Sequence, residues 1–112
     1  MEMGNMEEEY IQVITTTEKK GDAEKISEIL LHKKLVGCIQ IIGPIMSTYW
    51  WNDKLEKTSE WLCVAKSSRD LFDEIKKAIR KIHSYEIPEI IAIPIVNGDA
   101  DYLKWLHDEL EK

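Results

Sequence analysis

The sequence predicts an α+β fold of the ferredoxin-like kind, a βαββαβ sandwich with a long central hairpin and an additional C-terminal helix. Three observations carry this. Period-two runs of β-branched and aromatic residues alternate with stretches of helical period. The two middle strand-like runs are joined by the short polar step Asn52-Asp53-Lys54, as in a hairpin. A helical stripe follows the first strand and another follows the third, which is the order of a split βαβ unit.

Residues 9–17 open the fold as a strand. Ile11, Val13 and Thr15 share one side, Tyr10, Gln12 and Ile14 the other, so both faces are expected to be covered. The polar run 18–22 is a loop in which Asp22 reads as an N-cap. Ala23, Ile26, Ile29 and Leu30 then recur at helical spacing, Leu35 and Val36 close the stripe, and Gly37 reads as its stop. Residues 38–42 form an apolar strand that Gly43-Pro44 interrupts, because proline donates no ladder hydrogen bond; the strand resumes at Ile45 and runs to Trp51. After the turn, 55–66 is its partner, with Trp61, Cys63 and Ala65 on one face and Leu62 and Val64 on the other. Ser67 and Asp70, three apart, resemble a capping box ahead of the stripe Leu71, Phe72, Ile75, Ala78, Ile79 and Ile82. Pro88 excludes a helix from the connection that follows, 89–95 is the last strand with Pro94 at an edge, and Asp99 caps a final helix over 99–111.

The central hairpin exceeds the usual strand length of about 5–6 residues. It would project beyond the domain, and its apolar end, with three of the four tryptophans within 45–66, needs burial by another copy of the chain. Both helices of a βαββαβ unit lie on one face of the sheet, so the C-terminal helix and self-association together are expected to cover the other. Trp50 and Trp51 are strand neighbours and point to opposite faces.

At 112 residues the chain is one domain, with 1–8 expected as a disordered N-terminal tail and 9–112 as the single folded unit. A net charge of −6 speaks against non-specific nucleic-acid or anionic-membrane surfaces. No apolar run reaches the ~20 residues of a membrane span. The acidic start has no signal-peptide character, and two lone cysteines make no disulfide scaffold; the expected location is the cytoplasm.

Candidate chemistry is sparse. His32 and His107 sit in helices among polar neighbours and read as surface residues. His83 opens the loop His83-Ser84-Tyr85-Glu86-Ile87-Pro88, where imidazole and the Glu86 carboxylate, three apart, either share a metal or anchor the loop by hydrogen bonds. Cys38 and Cys63 flank apolar residues and read as core thiols, although Cys38, at a strand start, would suit a soft metal such as copper. Glu60 and Lys66 share a strand face and read as either a structural ion pair or the mark of a small-molecule pocket at a subunit seam. The five glycines are too scattered for a phosphate loop, and no nucleophile has an adjacent base, so an enzyme is not expected.

The runs Val-Ile-Thr-Thr-Thr (13–17), Leu-Val-Gly-Cys-Ile-Gln-Ile-Ile (35–42), Ser-Thr-Tyr-Trp-Trp (47–51), 60–66, 83–94 and Asp-Tyr-Leu-Lys-Trp-Leu (101–106) together resemble the CutA family, the divalent-cation tolerance proteins. The resemblance covers about 10–110. It implies a tight homotrimer whose long hairpin strands extend each sheet into the next subunit, and a fold similar to that of the PII signalling proteins, which bind small ligands between subunits. It implies a part in tolerance to copper and other divalent cations; the chain's length, enough to bury about two-thirds of its unfolded surface, is itself the reason that no cofactor is expected to be required for folding. Carried onto this sequence, Cys38 matches a strand cysteine proposed as a Cu(II) ligand, and His83, Tyr85, Glu86 and Pro88 match a His-Pro-Tyr-Glu-x-Pro loop, with Ser84 in place of its proline and the loop correspondingly freer. The metal set it implies is Cys38 and His83 with Glu86 supporting, and Trp51, Glu60, Lys66 and Tyr85 match positions lining an intersubunit cleft.

Overall fold

The structure, a computed structural model, describes residues 9–111. The expected tail, 1–8, lies outside the described residues. Four strands form one antiparallel sheet in the order β2-β3-β1-β4: β1 is Tyr10–Thr17, β2 Cys38–Trp51, β3 Lys54–Ser68 and β4 Ile90–Pro94. Three helices accompany it, α1 Lys20–His32, α2 Phe72–Ile82 and α3 Ala100–Glu109, with a single 3-10 turn at Arg69–Leu71. The fold class and element order expected from the sequence are those observed. Among the described residues, no helix is long and apolar enough to cross a membrane.

The core lies between the sheet and the helices α1 and α2. Ile11, Val13 and Ala65 point from the sheet onto Ile26 and Leu30 of α1 and Ile75, Ala78 and Ile79 of α2. Each of these larger side chains contributes about 1.5–3 kcal/mol by leaving water. On α2 the buried stripe returns every three or four residues while Lys76, Lys77, Arg80 and Lys81 stay exposed, as the periodicity requires. Helix α3 packs against the opposite sheet face, at the end where β2 begins. Leu106 is fully buried there, and a Cβ on Gly37 would come within 2.5 Å of its Cδ1.

Three local expectations are corrected. Asp22 does not cap α1: the helix starts two residues earlier, Lys19 occupies the N-cap position without a side-chain bond, and Asp22 sits in the first turn, where its charge favours the helix dipole. Gly37 is not the helix stop. Helix α1 ends at His32, and Lys34 takes the left-handed conformation (φ 56°) that glycine usually supplies. The Lys34 and Leu35 amides donate to the carbonyls of Leu31 and Leu30, closing a Schellman motif in which Leu35 covers Leu30. Gly37 is instead needed for the close approach of α3. Ser67 does not open a capping box; it is still in β3, and its buried hydroxyl donates to the Leu35 carbonyl at 2.6 Å. Asp99 does cap α3, accepting from the Tyr102 amide at 3.2 Å.

The hairpin turn is tighter than the sequence suggested. Trp51 pairs with Lys54, leaving Asn52 and Asp53 as a two-residue loop with φ of 52° and 63°, a type I′ geometry matched to strand twist. The interruption at Gly43-Pro44 is a bulge: Ile42 faces Leu62 and Ile45 faces Glu60, so two residues of β2 stand opposite Trp61. Beyond it the hairpin runs on as a two-stranded ribbon. Its outer half exposes Met46, Trp50 and Leu55, and Ile42, Ile91 and Ile93 are exposed on the sheet face away from α1 and α2.

Candidate functional site

Helix α2 ends where His83 leaves helical backbone (φ −71°, ψ 138°) while its amide still donates to the Ile79 carbonyl. The loop that follows is fastened by side chains. His83 Nε2–H donates to the Thr16 carbonyl at 2.8 Å, and Nδ1 accepts from the Tyr85 amide at 3.1 Å. A carbonyl only accepts and an amide only donates, so these bonds select the neutral Nε2–H tautomer. The His83 and Tyr85 rings lie 4.9 Å apart, and the Tyr85 hydroxyl donates to Glu60 Oε2 at 2.6 Å. Burial, then the bond to the Glu60 carboxylate, holds the Tyr85 phenol well above the ordinary tyrosine range.

This fastening positions the loop against the outer half of the hairpin. Between them lies a cleft of about 840 Å³ whose walls include Trp51, Glu56, Glu60, Tyr85, Glu86 and Glu89. The hairpin side chains reach it through register: Glu60 faces Ile45, Glu56 faces Tyr49 and Lys54 faces Trp51, so alternate residues of both strands present to the same side. Trp51 faces the cleft, while Trp50, on the other face, is 72% exposed. Glu60 is only 6% exposed.

The expected site residues therefore divide. Trp51, Glu60, Tyr85 and Glu86 come together in the cleft. Lys66 does not line it: six residues from Glu60, it donates to Gln40 Oε1 at 2.9 Å, and within one chain it makes no pair with Glu60. Glu56 and Glu89 were not foreseen. The signal for Glu56 was present, because a two-residue Asn52-Asp53 turn fixes Glu56 opposite Tyr49, two residues from Trp51 on the same face.

Cys38 and His83 are not neighbours in one chain. Cys38 faces Lys66, which faces Gln12, whereas His83 is bonded to Thr16. That leaves two strand spacings and four residues of β1 between them, roughly 13 Å along the strand alone, against metal–ligand bonds of about 2.0–2.3 Å. Among the described residues, no three His, Cys, Asp or Glu side chains converge as a ligand set. Cys38 is half-buried with a free thiol, its Sγ 3.7 Å from the Tyr102 hydroxyl. Cys63 is buried, and burial pushes its thiol up from 9.0 to about 11, the behaviour of a core residue.

The whole chain can now be set beside known proteins. The CutA1 divalent ion tolerance protein family matches residues 11–109. The divalent-cation tolerance protein CutA of Pyrococcus horikoshii is 36% identical over 102 residues, 91% of this chain and 99% of that protein. The chloroplastic protein CutA 1 of Oryza sativa is 33% identical over 96 residues, 86% of this chain; this chain spans about half of that relative, 54% of its length. The crystal structure of CutA1 from Oryza sativa superposes with a TM-score of 0.90 at 31% identity, covering 93% of this chain and 95% of that one. Sequence and topology agree along nearly the full length, and the chain belongs to the CutA1 divalent ion tolerance family.

Proposed function

We propose that this chain serves divalent-cation tolerance as a cytoplasmic homotrimer that binds copper and is not an enzyme. The observation that carries the copper reading is the Cys38 thiol: free, half-buried and reachable beside the Tyr102 phenol, while the other thiol, Cys63, is sealed in the core. A thiolate is the donor that suits copper. His83, with Glu86 three residues on, completes the proposed donor set, and His83 would give up a loop hydrogen bond to bind metal. Self-association is supported by the projecting hairpin and by the apolar sheet face that α3 leaves uncovered.

The test is a calorimetric titration of Cu(II) and Zn(II) into the full chain, alongside Cys38→Ala and His83→Ala as separate variants. Saturable copper binding lost in Cys38→Ala is expected. Binding that is absent, or unchanged in both variants, overturns the metal assignment. Light scattering should give three times the 13.1 kDa chain mass; a monomer overturns the trimer.

A second reading is favoured by a different observation. The cleft gathers Trp51, Glu60 and Tyr85 in a volume typical of small-molecule sites, about 300–1,000 Å³. In this reading the protein is a PII-like sensor or adaptor whose cleft takes a small ligand or a partner.

A further inference from the structure

A groove of about 710 Å³ lies on the helical layer, between the end of α1 and the side of α2. It is basic, in a chain whose net charge is −6. Lys33 and Lys34 line it from the end of α1, and Lys77 and Lys81, one turn apart, from α2. The buried Leu35 and Ala78 and the half-buried Leu71 give it an apolar floor. Glu74 and Glu111 also line it, yet among the described residues the ammonium groups of Lys33, Lys77 and Lys81 have no ion-pair or hydrogen-bond partner. The self-association proposed above uses the projecting hairpin and the sheet face away from α1 and α2, so it does not cover this groove.

The chain itself carries a segment of matching chemistry. Residues 1–8, outside the described residues, read Met-Glu-Met-Gly-Asn-Met-Glu-Glu: three carboxylates, three of the chain's four methionines, and no Lys, Arg or His. Unbranched thioether side chains fill irregular apolar surfaces, and carboxylates are the partners that unpaired ammonium groups require. The segment also joins the fold beside the groove. The Glu9 carbonyl accepts from the Arg69 amide at 2.8 Å, and Leu71 of the floor is two residues further on. From Leu71 to Lys81 the groove follows α2 for roughly 15 Å at the helical rise. Eight extended residues reach about 26 Å, enough to span it.

We infer that the groove between α1 and α2 is the docking surface of the chain's own N-terminal segment, residues 1–8. The glutamates of the segment pair with Lys33, Lys77 and Lys81, and its methionines cover Leu35, Leu71 and Ala78. Surface pairs are weak singly, but a short tether holds the segment at an effective concentration on the order of millimolar.

The test is carbodiimide coupling, which joins carboxylates directly to contacting amines, applied to full chains assembled from a mixture of isotope-labelled and unlabelled material and read by peptide mapping. Glu2, Glu7 or Glu8 should couple to Lys33, Lys77 and Lys81 in preference to Lys19 and Lys25, which are also exposed. Each product should carry one label or the other, never both. Lys77→Glu with Lys81→Glu, at two exposed positions, should reduce coupling to Lys33 about tenfold, since two surface pairs are lost and two repulsions gained. Peroxide should oxidise Met3 and Met6 faster in that variant than in the parent. Coupling spread evenly over Lys19, Lys25 and the groove lysines would reduce the contacts to chance encounter and overturn the inference. Unchanged coupling to Lys33 in the variant would do the same. Products carrying both labels would give the groove to the segment of a neighbouring copy and overturn the assignment to the chain's own.

Discussion

The Tyr85 hydroxyl donates to Glu60 at 2.6 Å and thereby joins the loop after α2 to the middle of β3, twenty-five residues away in sequence. One end of this bond is a carboxylate that is almost fully buried, so losing the donor costs more than a surface bond would. Tyr85→Phe should destabilise the chain by about 1.5–3 kcal/mol, the range for a hydrogen bond to a charged group. Urea denaturation measures it, and the same substitution in a Glu60→Gln background should cost less. Equal costs in the two backgrounds would mean that the bond is incidental.

Stability should fall in alkali. The Cys63 thiol is pushed up from 9.0 to about 11 by burial, so the native state keeps a proton that the unfolded chain releases. The contribution is present below pH 9 and lost as pH rises from 9 to 11, at most about 3 kcal/mol. Tyr85, raised in the same sense, adds to the fall above pH 10. Urea midpoints at pH 8 and pH 10.5 should converge in Cys63→Ala more closely than in the parent chain; an unchanged difference would remove Cys63 from the account.

Native thiol labelling should count one cysteine. Cys38 is half-buried and Cys63 is 1% exposed, so a maleimide should modify the first readily and the second only after denaturation. Mass spectrometry of the intact chain reads the result, and two rapid additions under native conditions would contradict the packing of β3.

Gly37→Ala should loosen the C-terminal helix. The added methyl would lie 2.5 Å from Leu106 Cδ1, and Leu106 is fully buried with little room to turn aside. Overpacking of this kind costs about 1–3 kcal/mol. The loss should appear as faster hydrogen exchange in α3 than in α1; uniform exchange across both helices would count against it.

Lys34→Gly should stabilise. Lys34 holds the left-handed backbone at the end of α1, which costs a side-chain-bearing residue about 1–2 kcal/mol relative to the right-handed form. Its contact with Glu109 spans 4.0 Å between exposed groups and offsets little of that. A gain of about 1 kcal/mol in urea denaturation is expected, and a loss would mean that the side chain stabilises the turn.

Most of the fold was legible because hydrophobic period is a property of the sequence itself. The alternation of Ile11, Val13 and Thr15 and the stripe Ile75, Ala78 and Ile79 determine which faces are buried, and both were readable. Helix ends were less so, because they depend on backbone bonds. Nothing in the residue type of Lys34 announces a left-handed turn, and Ser67 has the composition of a cap while its hydroxyl is used across the core. The cleft was half legible. Trp51, Glu60 and Tyr85 meet within one chain, whereas Lys66 lies away from them there, because shared strand parity says nothing about distance along the strand, which over six residues is roughly 20 Å.

The bulge at Gly43-Pro44 has a consequence for all that lies beyond it. Before it, odd-numbered residues of β2, such as Ile39, accompany the core residue Ala65; after it, odd-numbered residues accompany Glu60. The pleat is a two-state alternation, and this step advances it by half a period. Were Gly43 and Pro44 both paired in an unbroken ladder, Trp50 would stand opposite Lys54 and turn into the cleft in place of Trp51, with no change in the chemistry of the hairpin tip. Which indole meets a ligand is therefore decided by counting, at a position that touches neither.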